Sequence, residues 1–469
     1  MNFADLRFWI LLISSLGGAL VLRRFLRLTP AALKQYDKWC LAISGMILLG
    51  GADLLTLFIY LYVILVSWFG MRLLSGGVRK PRGGFLAIIL LQVWPLLGFK
   101  YLRFLVEDVV GVSAPGFLRD LAIPVGISFY TFQAIAFTLD TLAFHKPIPP
   151  FVDWLNFLGF FPQLVAGPIE RGADLLPQVE VFSLRLSWEN LHLGVPWLVL
   201  GFFFKSCLAD NLASLIATGA VRTAWHVWLN NALFGLRIYF DFAGYSLIAM
   251  GLARCLGIRL TLNFVSPYCS TSCVEFWRRW HVTLSNWFRD YVYLPMGGSR
   301  NPGGSDLLWM RNIFVVFLVS GIWHGAGWNF VAWGAAHAVL LILVRKLPLP
   351  NVPSVVKWGF TMGAVMLTWL FFYRTNPAVL VSDLRLLVTP SAYGVAALRE
   401  TLGYFPEADL VLLLFIGCLS SLTLFLEWVS LRRGEAYSVL RWTPVTIALV
   451  VLTVLLAPTV DNGFIYFAF

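Results

Sequence analysis

Apolar runs of about helix length alternate along this chain with short loops that carry Lys and Arg. The alternation predicts membrane-crossing helices and their direction, because loops rich in Lys and Arg stay in the cytoplasm. Arg23, Arg24, Arg27, Lys34 and Lys38 follow the first run, which puts the N-terminus outside. That run has no basic leader or small-residue cleavage site, so it reads as a retained span. Two tightly joined spans are expected within residues 40–70, turning near Gly50 to Asp53, and Arg72, Arg79, Lys80 and Arg82 mark the return. Residues 85–97 lead outward and 121–143 lead back. Residues 191–204, 233–252, 358–372, 410–426 and 445–456 complete ten crossings, with both termini outside.

Three stretches break this rhythm. Residues 151–168 are apolar but interrupted at Gly159, Pro162, Gly167 and Pro168. Such a segment suits a re-entrant loop lining a cavity, since unsatisfied backbone is not tolerated against lipid. Residues 274–296 space Trp277, Trp280, Leu284, Trp287 and Tyr291 three and four apart, interleaved with Arg278, Arg279, Arg289 and Asp290. That pattern predicts an amphipathic helix on the membrane surface, aromatic side down. Residues 312–323 stop at His324-Gly325-Ala326-Gly327, and a second apolar run follows over 328–344. The first run reaches only ~20 Å at the helical rise, short of the ~30 Å hydrocarbon core. The pair therefore reads as a hairpin with His324 at its tip near mid-membrane.

Of 469 residues, 59% are hydrophobic and 13% charged, with mean hydropathy +0.79. A soluble domain carries about a quarter charged residues, so soluble classes are excluded. The net charge of +11 lies mostly in inter-helix loops; topology accounts for it, and no nucleic-acid partner is expected. Among six scattered cysteines only Cys269 and Cys273 are close, with no companion pair, so no metal site is expected. Nor is there an internal repeat of the transporter kind. One all-α membrane-embedded unit over 1–469 is expected.

No G-x-S-x-G elbow, P-loop, G-x-G-x-x-G or H-E-x-x-H occurs, which leaves histidine as the candidate base. His145, His192 and His226 fall at loops or span edges, and His337 is expected to make a helix-packing contact. His324 stands out because an ionisable group deep in a membrane is costly and marks a site or pathway. A neutral imidazole there can take the proton of a hydroxyl attacking a carbonyl; the alternative is an imidazole bonded to a backbone carbonyl at the hairpin tip. His281 is either an interfacial residue packed on Trp277 or a second imidazole at the mouth of the His324 cavity. Asp241, inside a span, either orients a histidine or bonds Arg237 a turn back.

Four blocks draw these residues together: IPVGISFYTFQAIAFTLD (123–140), FFPQLVAGPIER (160–171), YFDFAGYSLIAMGLARCLGI (239–258), and EFWRRWHVTLSNWFRDYVYLPMGG (275–298) running on to SGIWHGAGWNFVAWGAAH (320–337). Over roughly 120–340 the chain resembles the membrane-bound O-acyltransferase (MBOAT) family, most closely its bacterial branch of polysaccharide O-acetylation, to which teichoic-acid D-alanylation proteins are related. The last block is the most specific. The resemblance implies helices curved around a central cavity with re-entrant segments, a catalytic His324 and a supporting His281. One departure matters. Alginate-type chains usually show Gly-Tyr-Ser-Asp, whereas Gly244-Tyr245-Ser246 is followed here by Leu247, and Ala243 stands where Ser is common.

The resemblance further implies an enzyme of the bacterial inner membrane that transfers a short acyl group, acetyl above all, from a cytoplasmic donor for O-acetylation of an exported polysaccharide. His324 would be its general base. No tightly bound cofactor is implied. The donor is acetyl-CoA or another acyl thioester, with Arg278, Arg279 and Arg289 as candidate binding residues, although a plain positive-inside face predicts the same charges. Besides the lipid bilayer, the expected partner is a periplasmic acetyltransferase of the polysaccharide system. Two other classes stay open: a transporter for the polymer or its precursor, and a non-catalytic scaffold. The C-terminal tail, 459–469, is expected on the periplasmic side and ends in Phe464-Ile465-Tyr466-Phe467-Ala468-Phe469. It is either an aromatic plug or, by resemblance to the Phe-x-Tyr end of related acyl-export systems, an acyl carrier whose nucleophile is the Tyr466 hydroxyl.

Overall fold

Capping residues set the first helices. Asp5 accepts the Arg7 N–H at the start of α1 (Leu6–Phe25), and Thr29 accepts the Ala32 N–H at the start of α2 (Pro30–Ala52), with Pro30 in its first turn. Asp53 ends α2 and caps α3 (Leu54–Ser75) by accepting the N–H groups of Leu55 and Thr56. The tight turn expected near Gly50 to Asp53 is therefore present, between helices longer than the apolar runs. This computed structural model describes residues 3, 5–75, 82–119, 121–164, 167–216, 223–299, 305–347, 352–458 and 462–465. Every regular element among them is helical.

The chain continues through α4 (Gly83–Val109), α5 (Ile127–Ala143), α6 (Phe151–Leu158), α7 (Trp188–Leu215) and α8 (Ala224–Cys255). Two short helices follow, α9 (Cys273–Arg279) and α10 (Val282–Phe288), then α11 (Asp306–His324), α12 (Trp328–Lys346), α13 (Ser354–Tyr373), α14 (Glu407–Arg432) and α15 (Thr443–Leu456). Nine of the described helices are long and apolar enough to cross a membrane: α1, α3, α4, α7, α8, α11, α12, α13 and α14. This differs from the ten crossings read from the sequence. Both hairpin arms now qualify. Of the expected spans, α2 carries Lys34, Asp37 and Lys38 in its first half, α5 has 17 residues, and α15 has 14.

The described residues form two compact units, one of residues 1–198 and 245–262, the other of 199–244 and 263–469. Within the first, the interrupted stretch at 151–168 folds as α6 and a single turn at Phe161–Leu164, both buried. Neighbouring side chains meet its polar groups: Tyr60 donates to the Leu155 carbonyl, Gln133 to that of Phe157, and Asn156 itself donates to that of Lys38. Bonding of this kind lets a broken helix persist in an apolar surrounding. The Lys38 ammonium lies 2.5 Å from Asp153, and both side chains are 4% exposed. A charge taken out of water is stable only when paired.

Asp153→Ala strands the Lys38 ammonium and is expected to cost ~3–5 kcal/mol, read as a lower unfolding temperature in detergent. Replacing Lys38 by Met and Asp153 by Leu together removes both charges and is expected to cost much less. Equal losses in the two variants would contradict the pairing.

Candidate active site

The second unit holds every described candidate site residue. Its centre is the α11–α12 hairpin. α11 begins at Asp306, not near Asn312, and its 19 residues span ~28 Å. The short half-membrane arm expected from the apolar run is thus not formed. Asp306 and Arg311 disguise the first turns as loop, and His324 closes a helix of full crossing length. The arms pack closely because two glycines face across them: a Cβ on Gly321 would lie 2.2 Å from the Phe330 carbonyl oxygen, and one on Gly334 would lie 2.2 Å from that of Phe317. Neither position tolerates a side chain without parting the helices.

This packing surrounds His324 with aromatic rings. Trp323, Trp333 and Phe372 lie 4.8, 4.9 and 5.5 Å from the imidazole, ring centre to ring centre, all steeply inclined to it. His324 is 2% exposed. These rings come from α11, α12 and the end of α13.

The surface helix expected over 274–296 is not continuous. α9 ends at Arg279, Trp280 is extended, His281 adopts the left-handed region (φ 43°), and α10 restarts at Val282. Trp280 and His281 are fully buried, so the aromatic face meets protein instead of lipid. The break arises because the backbone bonds sideways: Val282 N–H donates to the Asn263 carbonyl, and Val265 N–H to that of Arg279. Asn263 Oδ1 also accepts from the Thr283 backbone and hydroxyl and lies 3.1 Å from His281 Nδ1. An acceptor there assigns the proton to Nδ1 and the lone pair to Nε2. The ring packs edge-on against Phe242 at 4.7 Å and lies 5.9 Å from Trp323, the residue before His324. Burial pushes this imidazole down to about 3. His281 is therefore not the interfacial residue that its sequence spacing allows.

His337 makes the helix-packing contact expected of it. Its Nδ1 accepts the Trp277 indole N–H at 3.3 Å, and Nε2 lies 3.0 Å from Thr368 Oγ1. Asp241 pairs not with Arg237 on its own helix but with Lys205 of α7 at 2.9 Å, and Lys205 also meets Asp210 at 2.8 Å. The Ile465 N–H donates to Asp241 at 2.7 Å, while Tyr466 lies outside the described residues. Sequence reasoning missed Lys205 as a site residue. Its signal was a lysine inside the apolar run Gly201-Phe-Phe-Phe-Lys205, which calls for a buried acid.

The three candidate arginines separate. Arg278 and Arg289 line a cavity of about 430 Å³ walled by α9, α10, α11 and α12, in which Ser320 stands one turn before His324. Arg289 also bonds Asp290 at 2.8 Å. Arg279 instead lines a larger groove of about 1050 Å³ beside α13 and α14, and it is paired with Glu275 at 2.7 Å.

The His281 imidazole predicts a pH signature. Its value in the fold lies below the ordinary 6.5, so the unfolded chain binds the extra proton. This stabilisation is complete above pH 6.5 and is lost as pH falls toward 3, at up to ~1.4 kcal/mol per pH unit. Unfolding temperatures in detergent at pH 7.5 and 5 are expected to differ less for His281→Gln than for the unsubstituted protein. Equal differences would contradict a buried neutral imidazole.

A sequence model of "MBOAT, membrane-bound O-acyltransferase family" matches residues 25–375. The chain is 35% identical over 332 residues to a protein of Pseudomonas aeruginosa named "Probable alginate O-acetylase AlgI", covering 66% of this chain and 61% of that one. It is 34% identical over 319 residues to the "Peptidoglycan O-acetyltransferase" of Helicobacter pylori, covering 60% of each. It is 26% identical over 336 residues to the "Teichoic acid D-alanyltransferase" of Bacillus subtilis, covering 66% of this chain and 80% of that one. The chain thus spans about three fifths of the length of the first two relatives. With a family match over most of its length, its all-helical fold and its run of apolar helices, this chain belongs to the membrane-bound O-acyltransferase family and is a multi-pass membrane protein.

Proposed function

We propose that the protein is a membrane-bound O-acyltransferase of the bacterial inner membrane, both termini periplasmic, that passes an acetyl group from a cytoplasmic thioester toward an exported polysaccharide. The observation that carries this reading is the buried His324 imidazole one turn beyond Ser320, which lines the same cavity as Arg278 and Arg289. The names of the alginate and peptidoglycan relatives support a polysaccharide as final acceptor.

Arg278 and Arg289 receive the anionic end of acetyl-CoA or another acyl thioester, and the largely apolar cavity takes its thioester arm. Neutral His324 accepts the proton of an acceptor hydroxyl as that oxygen bonds the acyl carbon. The tetrahedral intermediate collapses with cleavage of the C–S bond, and the imidazolium returns its proton to the leaving thiolate. His281, neutral throughout the physiological range, supports the site through Trp323. The first acceptor is the Tyr466 hydroxyl. Its aryl ester is an activated acyl group, which a periplasmic acetyltransferase partner hands to a sugar hydroxyl.

His324→Ala is expected to lower thioester turnover and polymer O-acetyl content by ~10²-fold or more, at unchanged abundance and unfolding temperature. Full acetylation in that variant would end the catalytic assignment and leave the scaffold or transporter readings; polymer flux measured alongside separates those two. Tyr466→Phe keeps the ring and removes only the hydroxyl, so acetylation is expected to fall with intact protein. Unchanged acetylation would make the tail an aromatic plug.

Replacing Arg278 and Arg289 together by Gln is expected to raise the KM for the thioester roughly tenfold, with less effect on kcat, and to weaken its salt dependence. An unchanged KM would assign these charges to topology alone.

A further inference from the structure

We infer that Lys205 and Asp241 are positioning residues: they anchor the backbone of the C-terminal segment as far as Ile465, the residue before Tyr466 in the sequence. This rests on the reading of Tyr466 as acyl carrier. The segment is stitched at four places. Asn211 donates to the Leu456 carbonyl at the end of α15 at 2.8 Å, and Asn462 donates to the Asp210 carbonyl at 3.4 Å. Lys205 Nζ donates to the Asn462 carbonyl, and the Ile465 N–H donates to Asp241 Oδ2 at 2.7 Å.

Between the last two bonds, Phe464 is 1% exposed, and its ring lies 5.6 Å from that of Phe242. Phe242 in turn packs at 4.7 Å on His281. The docked segment therefore ends one peptide unit before Tyr466 and two ring contacts from a buried imidazole. An apolar plug needs no ions, because burying Phe464 and Ile465 suffices to hold it. A lysine and two aspartates in a dry interior are costly; here Lys205 and Asp241 bond the main chain of the tail, and the Asp210 carboxylate pairs with Lys205. Main-chain bonds at Asn462 and Ile465 fix the register of the tail up to Ile465. α8 reaches the cluster only because Gly244 lacks a side chain, since a Cβ there would lie 2.9 Å from Lys205 N and from the Gly201 carbonyl oxygen.

The test uses full-length protein in detergent, with trimming by a carboxypeptidase followed by intact mass. The unsubstituted chain is expected to lose at most the residues after Ile465. Asp241→Asn leaves Lys205 paired with Asp210 and is expected to open the tail to trimming back to before Asn462. Ile465→Pro deletes the donor N–H and leaves the cluster whole, so it reads the anchor even if the Asp241 variant misfolds. In Ile465→Pro, His324-dependent hydrolysis of the thioester and its KM are expected to be unchanged, while polymer acetylation falls at least tenfold. A general folding defect would lower both activities together. Full protection of the tail in Ile465→Pro, or an opened tail with unchanged acetylation, would overturn the inference. Failure of the carrier reading is distinguishable: it appears as normal acetylation in Tyr466→Phe, whatever the trimming shows.

Discussion

Lys205 keeps a positive charge among apolar helices, where an unpaired ammonium would cost several kcal/mol. Its partners define the second unit. Asp210 lies one turn on along the same helix, Asp241 comes from α8, and the carbonyl of Asn462 comes from the end of the chain. Since each charge must be met inside the protein, α7, α8 and the C-terminal segment are held in one register relative to each other. Phe242, next to Asp241, is thereby set against His281. One ionic cluster thus ties two helices and the tail together and places Phe242 against His281.

The candidate site itself is arranged by a different force. Close packing encloses His324: Gly321 and Gly334 bring α11 and α12 together, and Trp333 and Phe372 complete the ring of aromatics. His281 is oriented by hydrogen bonding, with Asn263 choosing the tautomer. The two imidazoles both neighbour Trp323 and sit in different surroundings. One ends a long apolar helix among aromatic rings, and the other is sealed in a backbone crossover that keeps it neutral.

The cavity lined by Ser320 separates residues that the sequence presents as one basic cluster. Arg278 and Arg279 are neighbours, but successive residues on a helix point to different sides. One faces the cavity with Arg289, and the other faces the groove beside α13 and α14, neutralised by Glu275. Charge clustering along a chain is therefore a poor guide to charge clustering in space wherever a helix intervenes.

The sequence by itself determined the all-helical membrane architecture, the turn at Asp53 and the interrupted segment at 151–168, and it singled out His324 as the candidate base. These follow from local rules: apolar length, caps, helix breakers and the cost of an ionisable group in an apolar run. It misjudged the start of α11, where Asp306 and Arg311 hid two helical turns, and the stretch at 274–296, where a helical period ran across a real break. Only the tertiary structure decided that break, because the bonds from Asn263 and Val265 that draw Trp280 and His281 out of the helix join residues 14 to 19 positions apart. The same holds for Asp241, whose partners Lys205 and Ile465 lie on other elements: the apolar run around Lys205 calls for an acid but does not say which one. Periodicity reports what one segment prefers alone; pairing of buried polar groups is settled between segments, where the alternative is an unmet charge or hydrogen bond in a medium without water.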